Sequence, residues 1–160
     1  MEDCNMKITP AAETPLGTDK NGIERAEQWN YASTVRMLLY LASNSHPDIT
    51  FAIHQCTHFT HCAKQSHENA IKCICHYLQG ALNDSLIFKP TQKLSLDCYA
   101  DADFVGLWGQ EDDQDPVSVK SHTGYVLLFG GCPLLWVSKL QTEIALSTME
   151  VEYIALSHSM

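Results

Sequence analysis

The sequence predicts a mixed α/β protein: a helical subdomain, then a three-stranded sheet, then one helix packed after the strands. Three observations carry this. Apolar residues recur with helical spacing between residues 27 and 80, the spacing changes to alternation after Leu94, and an S-x-x-E helix start follows the last β-rich run. The organisation that follows is a loop or flexible arm over 1–26, a helical segment over 27–92 and a sheet-plus-helix segment over 93–160.

Residues 1–23 hold Pro10, Pro15, Gly17 and Gly22 among polar neighbours with no apolar period, which is loop composition. From about Glu27 to Ala42, the positions Val35, Leu38, Leu39 and Ala42 fall at i, i+3, i+4 and i+7, so a helix that buries one stripe is predicted. "SNSHPD" (43–48) interrupts it. Pro47 suits the first turn of a second helix, where its missing N–H costs little, and Asp48 favours the positive end of the helix dipole. Ile49, Ile53, Cys56 and Phe59 or Thr60 continue that stripe. A third helix is predicted from Ser66 to just before Gly80, with Glu68 in its first turn and Ala70, Ile71, Ile74, Tyr77 and Leu78 buried.

After "KPTQK" (89–93), Leu94, Leu96 and Cys98 alternate with Ser95, Asp97 and Tyr99, the pattern of a half-buried strand. "TGYVLLFGG" (123–131) and "PLLWVSK" (133–139) are rich in β-branched and aromatic residues. Gly130, Gly131, Cys132 and Pro133 separate them, which predicts a hairpin. Ser147 to Glu150 then form a capping box, so Glu150 is assigned to the N–H groups of a helix start. Glu152 is not needed there and is free to face the strand that carries Asp101.

Composition excludes several classes. The longest apolar run, "MLLYLA" (37–42), is far short of the ~18 to 20 residues of a membrane span, and the acidic first ten residues do not resemble a secretory signal. Seven cysteines without an export signal fit free thiols in a reducing, intracellular compartment. The net charge of −9 is unevenly placed: residues 1–92 carry nine acids against seven bases, and residues 93–160 carry ten against three. "EDDQD" (111–115), within that acidic half, reads as a solvated loop.

In "DCYADADF" (97–104), Asp97, Asp101 and Asp103 share a strand face, where they repel unless water or a cation neutralises them. A strand-borne Asp followed across a hairpin by a Glu on the next helix is half of a two-metal phosphodiester-cleaving site, and carboxylates are ligands that Mg²⁺ prefers. "YADADFVG" (99–106), "KSHTGYVLLFGGCPLLWVSKLQT" (120–142) and "ALSTMEVEYIAL" (145–156) resemble the consecutive ribonuclease H motifs of Ty1/copia-type retrotransposon Pol polyproteins. Residues 29–80 resemble the segment that joins reverse transcriptase to ribonuclease H in the same polyproteins.

The resemblance implies that residues 93–160 are the N-terminal half of a ribonuclease H-like domain, with Asp101 and Glu152 as catalytic metal ligands and Asp103 beside them in a second shell. It implies Mg²⁺ in a two-metal site, an RNA–DNA hybrid as substrate, and work in the cytoplasm or nucleus. Trp136 and Lys139 are expected to pack or face solvent. It also implies two further acidic ligands and two further strands after this segment, so the isolated chain is expected to be catalytically incomplete, with the remainder of the polyprotein or self-association supplying what it lacks. Two departures stand out: His46 replaces an Arg, and Arg36 replaces a small residue, where it is expected to crowd helix packing.

Two other readings compete. A transposon-derived module can persist as a non-enzymatic interaction partner or a decayed reading frame. The density of His54, Cys56, His58, His61, Cys62, His67, Cys73, Cys75 and His76 suggests a Cys/His metal-binding protein. Against that, Cys73 and Cys75 point some 200° apart on a helix at ~100° per residue, and Cys56 and Cys73 fall on or beside apolar stripes.

Overall fold

The computed structural model describes residues 7–11, 16–26, 29–104 and 119–160, so the acidic loop 111–115 lies outside the described residues. The chain forms two compact units, Met1–Leu86 and Ile87–Met160. The first holds α1 (Tyr31–Asn44), a 3-10 turn (Pro47–Ile49), α2 (Thr50–Thr57) and α3 (Gln65–Gly80). The second holds β1 (Leu96–Ala102), β2 (His122–Phe129), β3 (Cys132–Leu140) and α4 (Thr148–Ser159).

In the first unit α1 starts at Tyr31 because the Asn30 side chain accepts the Ser33 N–H at 2.9 Å, later in the chain than periodicity predicts; Glu27 is outside the described residues. The predicted stripes form the core: Val35, Leu38 and Ala42 meet Ile49, Ile53 and Cys56 and, from α3, Ile71 and Ile74. The Tyr31 hydroxyl donates to the Cys56 carbonyl at 3.0 Å inside it. Burial pushes the Cys56 thiol up to about 12, so it behaves as a small hydrophobe. Arg36 lies exposed on α1, and the crowding expected of it does not occur.

The start of α3 buries two polar side chains that the apolar pattern does not mark. His67 Nδ1 accepts the Lys64 N–H at 2.8 Å, so its other nitrogen carries the proton and donates to the Gly17 carbonyl at 2.7 Å. The ring stacks on Phe59 with centroids 4.1 Å apart. Glu68 receives Lys72 Nζ at 2.7 Å and Arg25 Nε at 3.3 Å, and the Arg25 guanidinium lies over the Trp29 and Tyr31 rings. The arm is tied to the same helix: Gln65 donates its N–H to Ile23 O at 2.9 Å, and Ser66 Oγ donates to Asp19 at 2.6 Å.

In the second unit the strands lie antiparallel in the order β1-β2-β3. The hairpin turn is Gly130–Gly131 alone, at φ +55° and +80°, a pair of left-handed conformations that only glycine adopts cheaply. Cys132 and Pro133, expected in the turn, belong to β3. Leu134 is the extra residue of a bulge, since Pro133 pairs with Leu128 and Leu135 with Leu127. Pro133 is tolerated because β3 is an edge strand. The half-burial expected of β1 is not realised. Leu94 and Leu96 are 73% and 64% exposed, because β1 is the other edge and the helix covers only part of the sheet. Among the described residues no helix is long and apolar enough to cross a membrane.

The Lys72 hydrogen bond, then the charges of Lys72 and Arg25, hold the Glu68 carboxyl below the usual carboxylate range against the opposing effect of burial. A carboxylate whose folded pKa is depressed adds stability above its unfolded pKa of ~4.3 and loses it as pH falls through the folded value. Glu68→Gln is therefore expected to destabilise the first unit by about 2–4 kcal/mol at pH 7. Urea unfolding followed by circular dichroism checks this, and the gap between the two proteins is expected to narrow at pH 3.

Candidate functional site

Sheet geometry places the acidic residues. Ser121, Thr123 and Gln141 are buried on the side of the sheet that α4 covers with Val151, Ala155 and Ser159. Gln141 Nε2 donates to Thr123 Oγ1 at 2.9 Å and to the Val151 carbonyl at 3.1 Å, which ties the first turn of α4 to the start of β2. Thr123 pairs with Ala102 at the end of β1. At the other end of the helix Cys98 Sγ lies 4.0 Å from the Ser159 carbonyl. Helix α4 therefore runs antiparallel to β1 and begins where β1 ends.

Paired residues share a face, so Ala102 and Cys98 lie on the face that α4 meets, Cys98 at its exposed margin, and Asp97, Tyr99 and Asp101 point from the opposite face. Asp101 stands beside Gly124 there and is exposed. Glu152 follows Val151 in α4 and is exposed, turned ~100° from the packed stripe. The structure thus brings Asp101 and Glu152 to one end of the sheet. It does not turn Glu152 toward the face that bears Asp101.

Four acids cluster by sequence near this end, and the structure divides them. The Asp103 carboxylate accepts the His122 N–H, and its own N–H donates to the His122 carbonyl at 3.1 Å, closing the β1–β2 ladder. Glu150 accepts the Leu146 N–H at 2.8 Å while the Ser147 hydroxyl accepts the Glu150 N–H at 3.2 Å, the capping role read from S-x-x-E. Asp101 and Glu152 have no hydrogen bond or ion pair among the described residues. Trp136 and Lys139 on β3 are half-buried.

Gln141 is the functional-site residue that the sequence does not mark. In "WVSKLQT" it reads as the turn after a strand, and only the neighbouring S-x-x-E, which requires a helix to land nearby, signals that a buried polar contact is needed. The Cys/His group of the first unit has other tasks: His67 caps α3, Cys56 is core, and burial, with the neighbouring His58 next, lowers the His54 pKa. Among the described residues no three His, Cys, Asp or Glu side chains gather as a metal site.

A two-unit chain with this acidic sheet end belongs to the family of retrovirus-related Pol polyproteins of copia-type transposons. It is 33% identical over 151 residues to the Pol polyprotein of transposon RE1 of Arabidopsis thaliana, covering 94% of this chain and 10% of that one. To the Pol polyprotein of transposon TNT 1-94 of Nicotiana tabacum it is 37% identical over 129 residues, covering 81% and 9%. The chain thus spans about one tenth of the length of these polyproteins. It is also 35% identical over 130 residues to the secreted RxLR effector protein 161 of Plasmopara viticola, covering 81% of this chain and 85% of that one. No family model and no solved structure matches the chain.

The division of acids is testable by stability. Glu150→Ala is expected to destabilise residues 87–160 by about 1 kcal/mol through loss of the cap, and Glu152→Ala by less than about 0.5 kcal/mol. Equal losses in chemical denaturation would show that Glu152 is structural as well.

Proposed function

We propose that residues 87–160 are part of a ribonuclease H-like nuclease domain of a Pol polyprotein, in which Asp101 and Glu152 hold Mg²⁺ for hydrolysis of the RNA strand of an RNA–DNA hybrid during reverse transcription. The observation that carries this reading is the division of acids at the sheet end: Asp103 and Glu150 are spent on backbone N–H groups, and Asp101 and Glu152 are left as accessible carboxylates. Two such groups fit an ion that takes one or two carboxylates and completes its octahedron with water. Residues 29–80 are, on this reading, the helical connection that precedes the nuclease in the polyprotein.

When bound, Mg²⁺ activates a water and offsets charge on the leaving oxygen. The chain's own residues supply position. Asp103 fixes the end of β1, which sets where the Asp101 carboxylate stands, and Gln141 fixes the first turn of α4, which sets Glu152. Carboxylates repel the phosphates of a hybrid, and residues 93–160 carry three bases against ten acids, so a cation held by Asp101 and Glu152 would offset that repulsion.

A second reading is favoured by one observation: the Plasmopara viticola relative is matched over 85% of its length, so a segment of this size stands by itself in another protein. A non-enzymatic module needs neither carboxylate. Titration of the 160-residue chain with Mg²⁺, followed by amide NMR, separates the two. The nuclease reading expects joint shifts around Asp101 and Glu152 on one saturation curve at millimolar or lower Mg²⁺, both lost in Asp101→Asn; absence of shifts favours the module. Because the chain carries two of the four carboxylates that the resemblance implies, it is expected not to cleave a hybrid alone. Mg²⁺-dependent cleavage that Asp101→Asn removes would contradict that requirement.

A further inference from the structure

We propose that His54 and His58 form a two-imidazole site for a late first-row divalent metal ion, of the zinc, nickel or copper class, with water completing the coordination. Among the eight histidines of the chain they are the one pair four apart in sequence. They stand at the end of α2: His54 lies within the helix, and His58 caps it with helical backbone angles, φ −62° and ψ −27°. Side chains four apart on a helix are neighbours, with Cβ atoms about 5–6 Å apart, from which two ring nitrogens can close on one ion.

The helix presents the pair to solvent. Ile53 and Cys56 enter the core, which leaves His54 half-buried and His58 exposed on the flank. The rings are near enough that charge on His58 disfavours charge on His54. Two contacts hold them in place. Thr57 Oγ1 donates to the His54 carbonyl at 2.6 Å and closes the last turn. The His58 and Phe59 rings meet edge to face with centroids 6.4 Å apart, and Phe59 is itself buried and stacked on His67. Ligands placed in advance lose less freedom when the ion arrives. The donor atoms select the ion. Imidazole nitrogen suits zinc, nickel and copper, whereas Mg²⁺ prefers carboxylate oxygen and water, so this pair and the acidic sheet end take different ions. Among the described residues no third His, Cys, Asp or Glu joins the pair, His61 and Cys62 included, so the remaining positions fall to water.

Ni²⁺ is the probe, because its paramagnetism reports where it binds. Titration of the full 160-residue chain at neutral pH, in a thiol-free reducing buffer, is expected to broaden the imidazole NMR signals of His54 and His58 together at sub-stoichiometric Ni²⁺, ahead of those of the other histidines. In calorimetry His54→Gln and His58→Gln are each expected to weaken this binding at least about tenfold. His61→Gln and Cys62→Ser are expected to leave it unchanged, as is an excess of Mg²⁺. His58 is exposed, so its replacement spares the core, and an unchanged circular dichroism spectrum separates loss of the ion from loss of the fold. Broadening that begins at other histidines, a His58→Gln variant that binds Ni²⁺ as the wild-type chain does, or loss of binding in Cys62→Ser would each overturn the proposal.

Discussion

The Gln141 side-chain amide reaches Thr123 on β2 and the Val151 carbonyl in α4 from a fully buried position, and it joins the sheet and the helix of the second unit at one point. A buried donor placed between two acceptors keeps both bonds only in one arrangement of the elements that carry them. That arrangement sets the direction of α4 and the height at which it starts. Everything proposed for the acidic end depends on it, because Asp101 travels with β1 and Glu152 with the first turn of α4. Among the described residues the core around this contact is small: Ala145, Val151 and Ala155 are its buried apolar residues. With little apolar surface to define the packing, one hydrogen-bonded amide carries much of the specificity.

The first unit uses the same device at greater depth. Glu68 and His67 sit side by side at the start of α3 and bind in different directions, Glu68 to Arg25 and Lys72, His67 to Lys64 and Gly17. Arg25 spreads the effect by lying over Trp29 and Tyr31, and Tyr31 reaches Cys56 in the core. A segment without helix or sheet of its own is thereby held against a helix by polar contacts rather than by an apolar stripe. These contacts stabilise a fold and involve none of the residues proposed for chemistry.

Apolar periodicity located the helices and strands, because burial of one stripe is a property of each segment by itself: Val35, Leu38 and Ala42 in α1, or Ile71 and Ile74 in α3, need no knowledge of the partner. The role of Glu150 was legible for a related reason, since a capping box is complete within four residues. Polar residues buried by contacts distant in sequence were not legible. His67 and Glu68 fit an ordinary solvated first turn until Gly17 and Arg25 are brought beside them, and Gln141 fits an ordinary strand end. Leu96 fits a half-buried strand, and whether the face it occupies is covered depends on how far α4 extends across the sheet. The sheet face of Asp101 follows from register alone, yet its relation to Glu152 required the antiparallel run of α4 that Gln141 fixes.

On the proposed function, Asp101 and Glu152 at one end of the sheet would hold the same Mg²⁺. Replacing Mg²⁺ with paramagnetic Mn²⁺ and recording amide line broadening tests it most directly, in the wild-type chain and in Gln141→Leu, which keeps the volume but releases the helix start. The account predicts that sub-stoichiometric Mn²⁺ broadens the amides around Asp101 and Glu152 together, and that Gln141→Leu uncouples them. Broadening confined to one of the two in the wild-type chain, or joint broadening that Gln141→Leu leaves unchanged, would contradict it.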